Sequence, residues 1–132
     1  MIILDTSAGT ALADGHKTLN LLAGNMAKTP GERLNIPALC LTQAEAGEEN
    51  LAQRVLTFSS VVVDSLHTMA AVSVGTLIRD GYGGPDTCHA LYCALPRPEF
   101  TGMSILLTGN KEAYPPGVVT VDIDSSEMLG YH

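Results

Sequence analysis

The sequence has few charged residues, few cysteines and no long apolar run, and each shortage excludes a class of protein. No apolar run approaches the roughly 20 residues that a membrane-spanning helix needs. The N-terminus also lacks the basic region of a signal peptide, so we expect a cytoplasmic protein. The three cysteines are odd in number, lie in apolar contexts and form no CxxC pair. They indicate reduced, buried thiols rather than a disulfide framework or a cysteine metal site.

Positive charge is scarce. Seven Lys and Arg residues face fourteen Asp and Glu residues, which gives a net charge of −7 with the histidines neutral. This balance argues against a simple basic nucleic-acid binder. It remains compatible with clustered carboxylates that hold a divalent cation, because the ion then supplies local positive charge. It also remains compatible with a basic partner protein.

The composition is that of one globular domain. The chain has 132 residues, 45% of them hydrophobic, and no break in composition divides it. We predict a single domain over residues 1–124 and a C-terminal tail over residues 125–132.

The first stretch, MIILDTS, brings a carboxylate to the end of an apolar run. Apolar residues without alternation are typical of a strand buried on both faces of a parallel sheet. Asp5 then stands at the carboxyl end of that strand, where open α/β sheets bind ligands. Thr6 or Ser7 can cap the helix that follows. The alternative is that Asp5 itself is only a helix cap, and this stretch does not decide between the two.

Strands and helices alternate along the rest of the chain. The predicted strands are residues 1–4, 34–41, 60–64, 103–108 and 118–123, and the predicted helices are residues 6–13, about 17–28, about 42–58, 67–79 and 86–95. For the third helix, Thr42 is the expected cap and Glu45 lies at capping-box spacing. Pro37 is expected near the start of its strand or in an edge strand. The alternation predicts an α/β fold, a three-layer α/β/α sandwich with a mainly parallel five-stranded sheet.

Polar residues follow several of these strands. They are Asp5 after the first strand, Thr42 and Gln43 after the second, and Thr108 to Asn110 after the fourth, while Asp86 stands at a helix start. In a parallel sheet these positions meet at one edge and can form one crevice. Each residue alone is also compatible with an ordinary cap or turn.

The order of four segments carries a resemblance to a known family. DTS at the end of the first strand is followed by IPALCLTQAEAG, GPDTCHALYCAL and ILLTGNKEAY. Over residues 1–124 this order resembles a PIN domain, the small nuclease domain of many bacterial toxin ribonucleases. The resemblance implies four acidic positions around one or two Mg²⁺ or Mn²⁺ ions, which activate a water for attack on an RNA phosphodiester.

The resemblance assigns each acidic position to a residue of this chain. The first position falls on Asp5 and the third on Asp86, the two implied metal ligands. The second falls on Gln43 and the fourth on Asn110, so amides replace two of the four acids. An amide oxygen can ligate a cation, but it brings no charge and takes no proton from water.

Further residues are candidates for supporting roles. Glu45 can restore one charge if the third helix begins later than predicted, because residues two apart on a helix point in different directions. His89 lies three residues after Asp86 on the same helical face, so it can contact a phosphate or instead be a core histidine. Thr6, Ser7 and Thr108 can hydrogen-bond a carboxylate.

These features favour two functions. The first is a metal-dependent ribonuclease that acts on RNA, the toxin of a toxin–antitoxin pair, with an antitoxin as partner. The second is a PIN-like domain without catalysis that binds RNA or a partner protein. The resemblance also implies a homodimer, for which the apolar helices near the N-terminus offer a surface. A phosphatase of the haloacid dehalogenase type ranks last, because DTSAGT lacks the second aspartate that such enzymes use.

Overall fold

The computed structural model describes residues 1–97 and 102–131. In these residues five short strands alternate with six helices, where the sequence predicted five strands and five helices. The strands are β1 (Ile2–Leu4), β2 (Leu34–Pro37), β3 (Val61–Asp64), β4 (Ile105–Thr108) and β5 (Thr120–Asp122). The helices are α1 (Thr6–Ala13), α2 (Lys17–Ala27), α3 (Ala38–Gly47), α4 (Leu51–Leu56), α5 (Thr68–Arg79) and α6 (Pro85–Ala94). Two 3₁₀ helices, Lys111–Ala113 and Ser126–Tyr131, flank β5.

The five strands form one parallel sheet in the order β3-β2-β1-β4-β5. The central strand β1 pairs Ile2 with Leu34 of β2 on one side and with Ile105 of β4 on the other. The chain therefore builds outward from β1 to β3 and then returns to the other side of β1 to place β4. The carboxyl ends of β1 and β4 lie at this switch point, where α/β folds form ligand crevices.

Burial on both faces explains why the two central strands, β1 and β4, are uninterrupted apolar runs. Ile3, Leu4, Leu106 and Leu107 on the two central strands are fully buried. Helices cover both faces of the sheet, so neighbouring residues of one strand both meet apolar surroundings. Gly9 on α1 lets that helix approach β2 closely, since a Cβ there would lie 2.9 Å from Cδ1 of Ile36. The predicted three-layer α/β/α sandwich is confirmed.

The predicted start of the third helix is wrong by four residues. Helix α3 begins at Ala38, and Pro37 is both the last residue of β2 and the N-cap of α3. The start of a helix leaves its first backbone N–H groups unpaired, and proline has no N–H. Pro37 therefore fits the position where β2 ends and α3 begins. Pro37 thus closes a central strand rather than opening one. Thr42 lies inside the helix and donates its hydroxyl to the carbonyl of Ala38 at 3.1 Å.

The predicted long third helix is in fact two helices. Helix α3 ends at Gly47, and Asn50 takes the left-handed conformation with φ 66° before α4 begins. Asparagine tolerates this conformation better than most residues, which permits the sharp change of direction.

The C-terminal residues contribute to the core. Within the predicted tail, Met128 of the second 3₁₀ helix is buried, while residue 132 lies outside the described residues. Across residues 1–97 and 102–131, no helix has the length and apolarity needed to cross a membrane.

Candidate functional site

Asp5 caps helix α1 from the end of β1. Its Oδ1 accepts hydrogen bonds from the backbone N–H of Ala8 at 2.9 Å and from the hydroxyl of Ser7 at 2.7 Å. Asp5 is therefore the N-cap of α1, and the prediction that Thr6 or Ser7 caps this helix is wrong. An aspartate at this position accepts the N–H groups that a helix start leaves unpaired.

The second carboxylate oxygen of Asp5 is occupied as well. Its Oδ2 accepts the hydroxyl of Thr108 at 2.5 Å and the phenol of Tyr114 at 2.7 Å. A carboxylate offers about four acceptor sites, and four protein donors converge on this one. Asp5 itself is only 6% exposed. Its two oxygens are thus saturated by the protein.

Ser7 and Thr108 join the end of β1 to the loop after β4. Ser7 Oγ accepts the backbone N–H of Gly109 at 2.8 Å, and Thr108 Oγ1 accepts that of Asn110 at 2.9 Å. Each hydroxyl donates its hydrogen to Asp5 and accepts a backbone N–H from the loop, so both hydrogen bonds fix the orientation of the hydroxyl. The predicted role of Ser7 and Thr108, a hydrogen bond to a carboxylate, agrees with these contacts.

Asp86 lies across from Asp5 at the start of α6. It is half-buried, and its Oδ2 accepts the hydroxyl of Thr6 at 2.7 Å. Asp5, Asp86 and Asn110 line one crevice of about 240 Å³. The crevice is completed by Thr6, Ser7, Thr87, Ala113 and Tyr114. The structure therefore brings together the residues at three of the four positions that the resemblance assigned.

Gln43 lies outside this crevice. It is exposed and lines a neighbouring pocket of about 360 Å³ between α1, α3 and α4. Thr6 borders both pockets, while Asp14 and Glu48 line only the second. Because α3 begins at Ala38, Gln43 is its sixth residue, well past the helix start that faces the carboxyl end of the sheet.

Glu45 has a structural role elsewhere. Its carboxylate accepts the backbone N–H groups of Asn50 at 2.9 Å and Ala52 at 3.1 Å. It therefore caps the start of α4 and ties α3 to α4. The structure does not bring Glu45 to the crevice, and the capping box predicted with Thr42 is wrong.

His89 belongs to the core. Its side chain is fully buried, and its Nδ1 accepts the backbone N–H of Leu39 at 3.2 Å. Leu39 is in the first turn of α3, whose own N-cap Pro37 has no side-chain acceptor. His89 thus caps α3 from a neighbouring helix and does not line the crevice. Burial lowers the pKa of His89 from its usual 6.5, opposed by Asp64 and assisted by Arg97.

We expect His89 to make stability depend on pH. Because the folded state lowers the pKa of His89, the unfolded chain binds a proton first as the pH falls below 6.5. Its contribution is complete above that value and is lost below it, by up to about 1.4 kcal/mol per pH unit. Urea unfolding at pH 7.5 and 5.5, for the natural chain and for His89→Gln, measures the difference. A loss of equal size in the two chains would assign the effect to other groups.

Cys40 lies beneath the crevice as an unreactive thiol. Its Sγ donates to the backbone carbonyl of Asp86 at 3.3 Å, and burial raises the pKa of Cys40 to about 12. A thiol with that pKa stays protonated and is a poor nucleophile. All three cysteines are free and buried, as predicted.

Sequence reasoning missed Tyr114. This residue follows the 3₁₀ helix after β4, and its phenol reaches Asp5 across 109 positions of the chain. Burial raises the pKa of Tyr114, and the negative charge of Asp5 raises it further. The phenol is therefore neutral and donates. The available signal was the single aromatic residue in the segment NKEAYPP that follows the fourth strand.

The residues present do not fit the divalent cation that the resemblance implies. Mg²⁺ and Mn²⁺ prefer anionic oxygens with free lone pairs. Both oxygens of Asp5 already accept two hydrogen bonds each. Asp86 adds one carboxylate, Asn110 adds a neutral amide, and Gln43 lies in the other pocket. A cation at Asp5 would have to displace protein donors for which the site supplies no substitute.

Comparisons with known proteins support the fold alone. No protein-family model and no curated protein matches the chain. A chain in the crystal structure of DNA-bound VapBC from Salmonella typhimurium matches with a TM-score of 0.61 and 20% sequence identity. The match covers 92% of this chain and 97% of that chain. The predicted PIN-like α/β fold is thus confirmed at the level of fold.

Proposed function

We propose that this chain is a PIN-like domain that acts by binding a partner protein rather than by cleaving RNA. The observation that supports this most is the state of Asp5. Four protein donors occupy its two oxygens, one of them the phenol of Tyr114. The carboxylate that a metal-dependent nuclease needs first is used here to hold the end of β1 to the loop after β4.

The charge of the chain favours a basic partner. The net charge is −7, and acidic side chains border both pockets at this edge: Asp86 at the crevice, Asp14 and Glu48 at its neighbour. RNA would be repelled, whereas a basic protein segment would be attracted. The fold match to a chain of a VapBC complex supports an antitoxin-like partner. Three free cysteines support a cytoplasmic location.

The second candidate is a metal-dependent ribonuclease, the toxin of a toxin–antitoxin pair that uses Mg²⁺ or Mn²⁺. One observation favours it. Asp5, Asp86 and Asn110 line the same crevice, although the protein donors now occupy Asp5. Metal binding distinguishes this candidate from the first.

The test is calorimetric titration with Mn²⁺ at concentrations up to about 1 mM. We expect no binding to the natural chain. Asn110→Asp with Tyr114→Phe should bind the ion, because it adds one carboxylate and frees one lone pair of Asp5. Gln43→Glu is the matched control, since it adds the same charge outside the crevice and should bind nothing. Binding by the natural chain that is lost in Asp5→Asn would support the ribonuclease instead.

A further inference from the structure

A groove of about 500 Å³ runs between α5 and the residues that end α6. It is larger than the crevice or its neighbouring pocket and shares no lining residue with them. Its volume is typical of small-molecule sites. Ser73 and Thr76 are on its wall, and the Thr76 hydroxyl donates to a carbonyl within α5. The remaining wall along α5 and after α6 is apolar, formed by Met69, Val72, Leu77, Leu95 and Pro96.

Three side chains of the wall cluster at one end of the groove. The guanidinium carbon of Arg97 lies 5.4 Å from the centre of the Tyr92 ring, and the rings of His67 and Tyr92 lie 6.2 Å apart. Leu77 lies near the C-terminus of α5, about 15 Å along the helix axis from His67. The groove therefore has a polar end at Arg97 and an apolar end at Leu77.

The charge of this groove is opposite to that of the chain. The described residues that line it include Arg97 and His67 but no Asp or Glu, whereas the chain carries a net charge of −7. Nδ1 of His67 accepts the backbone N–H of Ala70, so the neutral ring carries its proton on Nε2. The polar end also adjoins the N-terminus of α5, the positive end of the helix dipole. An anion is favoured here more than elsewhere on this acidic protein.

The guanidinium of Arg97 is anchored in the wall of the groove. The residue is 7% exposed, and its Nη2 donates to Oδ2 of Asp64 at 2.8 Å. Nη2 also donates to Sδ of Met1 at 3.6 Å, and Nη1 donates to Sγ of Cys93 at 3.9 Å. Sulfur is a weak acceptor, whereas a guanidinium presents five N–H donors in a planar fork. A carboxylate that enters the groove is a stronger acceptor than either sulfur atom.

We propose that this groove binds a medium-chain carboxylate, with the carboxylate beside Arg97 and the carbon chain along α5. A single guanidinium already shared with Asp64 suits a monoanion rather than a phosphate dianion. The carbon chain covers Met69 and Val72, which are 65% and 63% exposed, and burial of apolar surface is favourable. A basic protein segment finds no acid among the described lining residues. This binding goes beyond the proposed function and does not depend on the crevice.

Titration of the full chain with octanoate, followed by NMR of methyl-labelled methionines, tests the proposal. We expect the Met69 methyl signal to shift and to saturate below about 1 mM octanoate. Met103 is 74% exposed and does not line the groove, so its signal should not change. Octanol has the same carbon chain without the charge. It should bind at least about 10-fold more weakly, because it makes no charge-assisted hydrogen bond to Arg97.

Two variants separate the roles of charge and apolar wall. Val72→Glu places a carboxylate in the groove and should weaken octanoate binding at least about 10-fold. Leu21→Glu is the matched control, since it adds the same charge at a 48% exposed position on α2 and should bind like the natural chain. Asp64→Asn with Arg97→Met removes both charges of the buried pair, so octanoate and octanol should then bind equally.

Several results would overturn the proposal. Shifts that do not saturate, or that affect Met103 as much as Met69, would show general association with the surface. Equal binding of octanol and octanoate by the natural chain, or full binding by Val72→Glu, would also contradict it. Met69 shifts that follow protein concentration and not octanoate would assign the groove to a second copy of the chain. Because position 72 is exposed, Val72→Glu decides the matter even if the double variant fails to fold.

Discussion

Replacing Asp5 with alanine is expected to lower the free energy of unfolding by about 3 kcal/mol. The variant removes the cap of α1, which usually costs about 1 kcal/mol. It also leaves the donors of Thr108 and Tyr114 unpaired in largely buried positions, at about 1 kcal/mol or more each. For a domain of this size, the melting temperature should fall by about 10 °C.

Asp86→Ala is the control for this prediction. Asp86 is half-buried and accepts a side-chain hydrogen bond from Thr6, so its loss should cost about 1 kcal/mol or less. If Asp5 and Asp86 were instead held near one another for a metal, the two carboxylates would repel each other, and Asp5→Ala would not lower the stability. An Asp5→Ala variant as stable as the natural chain would therefore contradict a saturated Asp5.

Replacing Asp64 with asparagine is expected to destabilise the chain by about 3 kcal/mol. Asp64 ends β3 and accepts a 2.8 Å hydrogen bond from the guanidinium of Arg97. The two side chains are only 15% and 6% exposed. Removing the carboxylate leaves the guanidinium, which stacks over the ring of Tyr92, without this counter-charge in the core.

Two further variants distinguish the buried pair from a surface effect. Asp14→Asn removes a partner of Arg54 at 3.5 Å, but that pair is about half exposed, so the cost should stay under about 1 kcal/mol. Asp64→Asn with Arg97→Met should recover much of the lost stability, because it removes the uncompensated charge as well. Denaturant unfolding measures all three variants. Equal costs for Asp64→Asn and Asp14→Asn would show that the pair at β3 is not protected from solvent.

Much of the fold could be predicted because local sequence and tertiary structure agree. The β-branched run before Asp64 and the apolar run before Asp5 predicted strands that the sheet confirms. The start of α3 was missed because Pro37 serves two elements at once, as strand end and helix cap. No local pattern separates that arrangement from a longer strand.

The residues of the candidate site were predictable only in part, and their hydrogen bonding was not, since Thr42 and Gln43 lie outside the crevice and Tyr114 lies in it. Asp5, Asp86 and Asn110 do line one crevice, as their places after strands and at a helix start predicted. The contact of Tyr114 with Asp5 depends on the pairing of β4 with β1. No short segment of the sequence determines the order of the strands in the sheet. The same limit applies to His89, whose acceptor role depends on where α3 begins.

Thermal unfolding of the natural chain with and without about 5 mM Mn²⁺ tests most directly whether the protein donors leave Asp5 free for a metal. A ligand that binds only the folded state at about 100 times its Kd stabilises it by about 2.7 kcal/mol. We predict no change in melting temperature, because four protein donors already occupy the carboxylate. A rise of several degrees that disappears in Asp5→Asn would contradict this account and identify the crevice as a metal site.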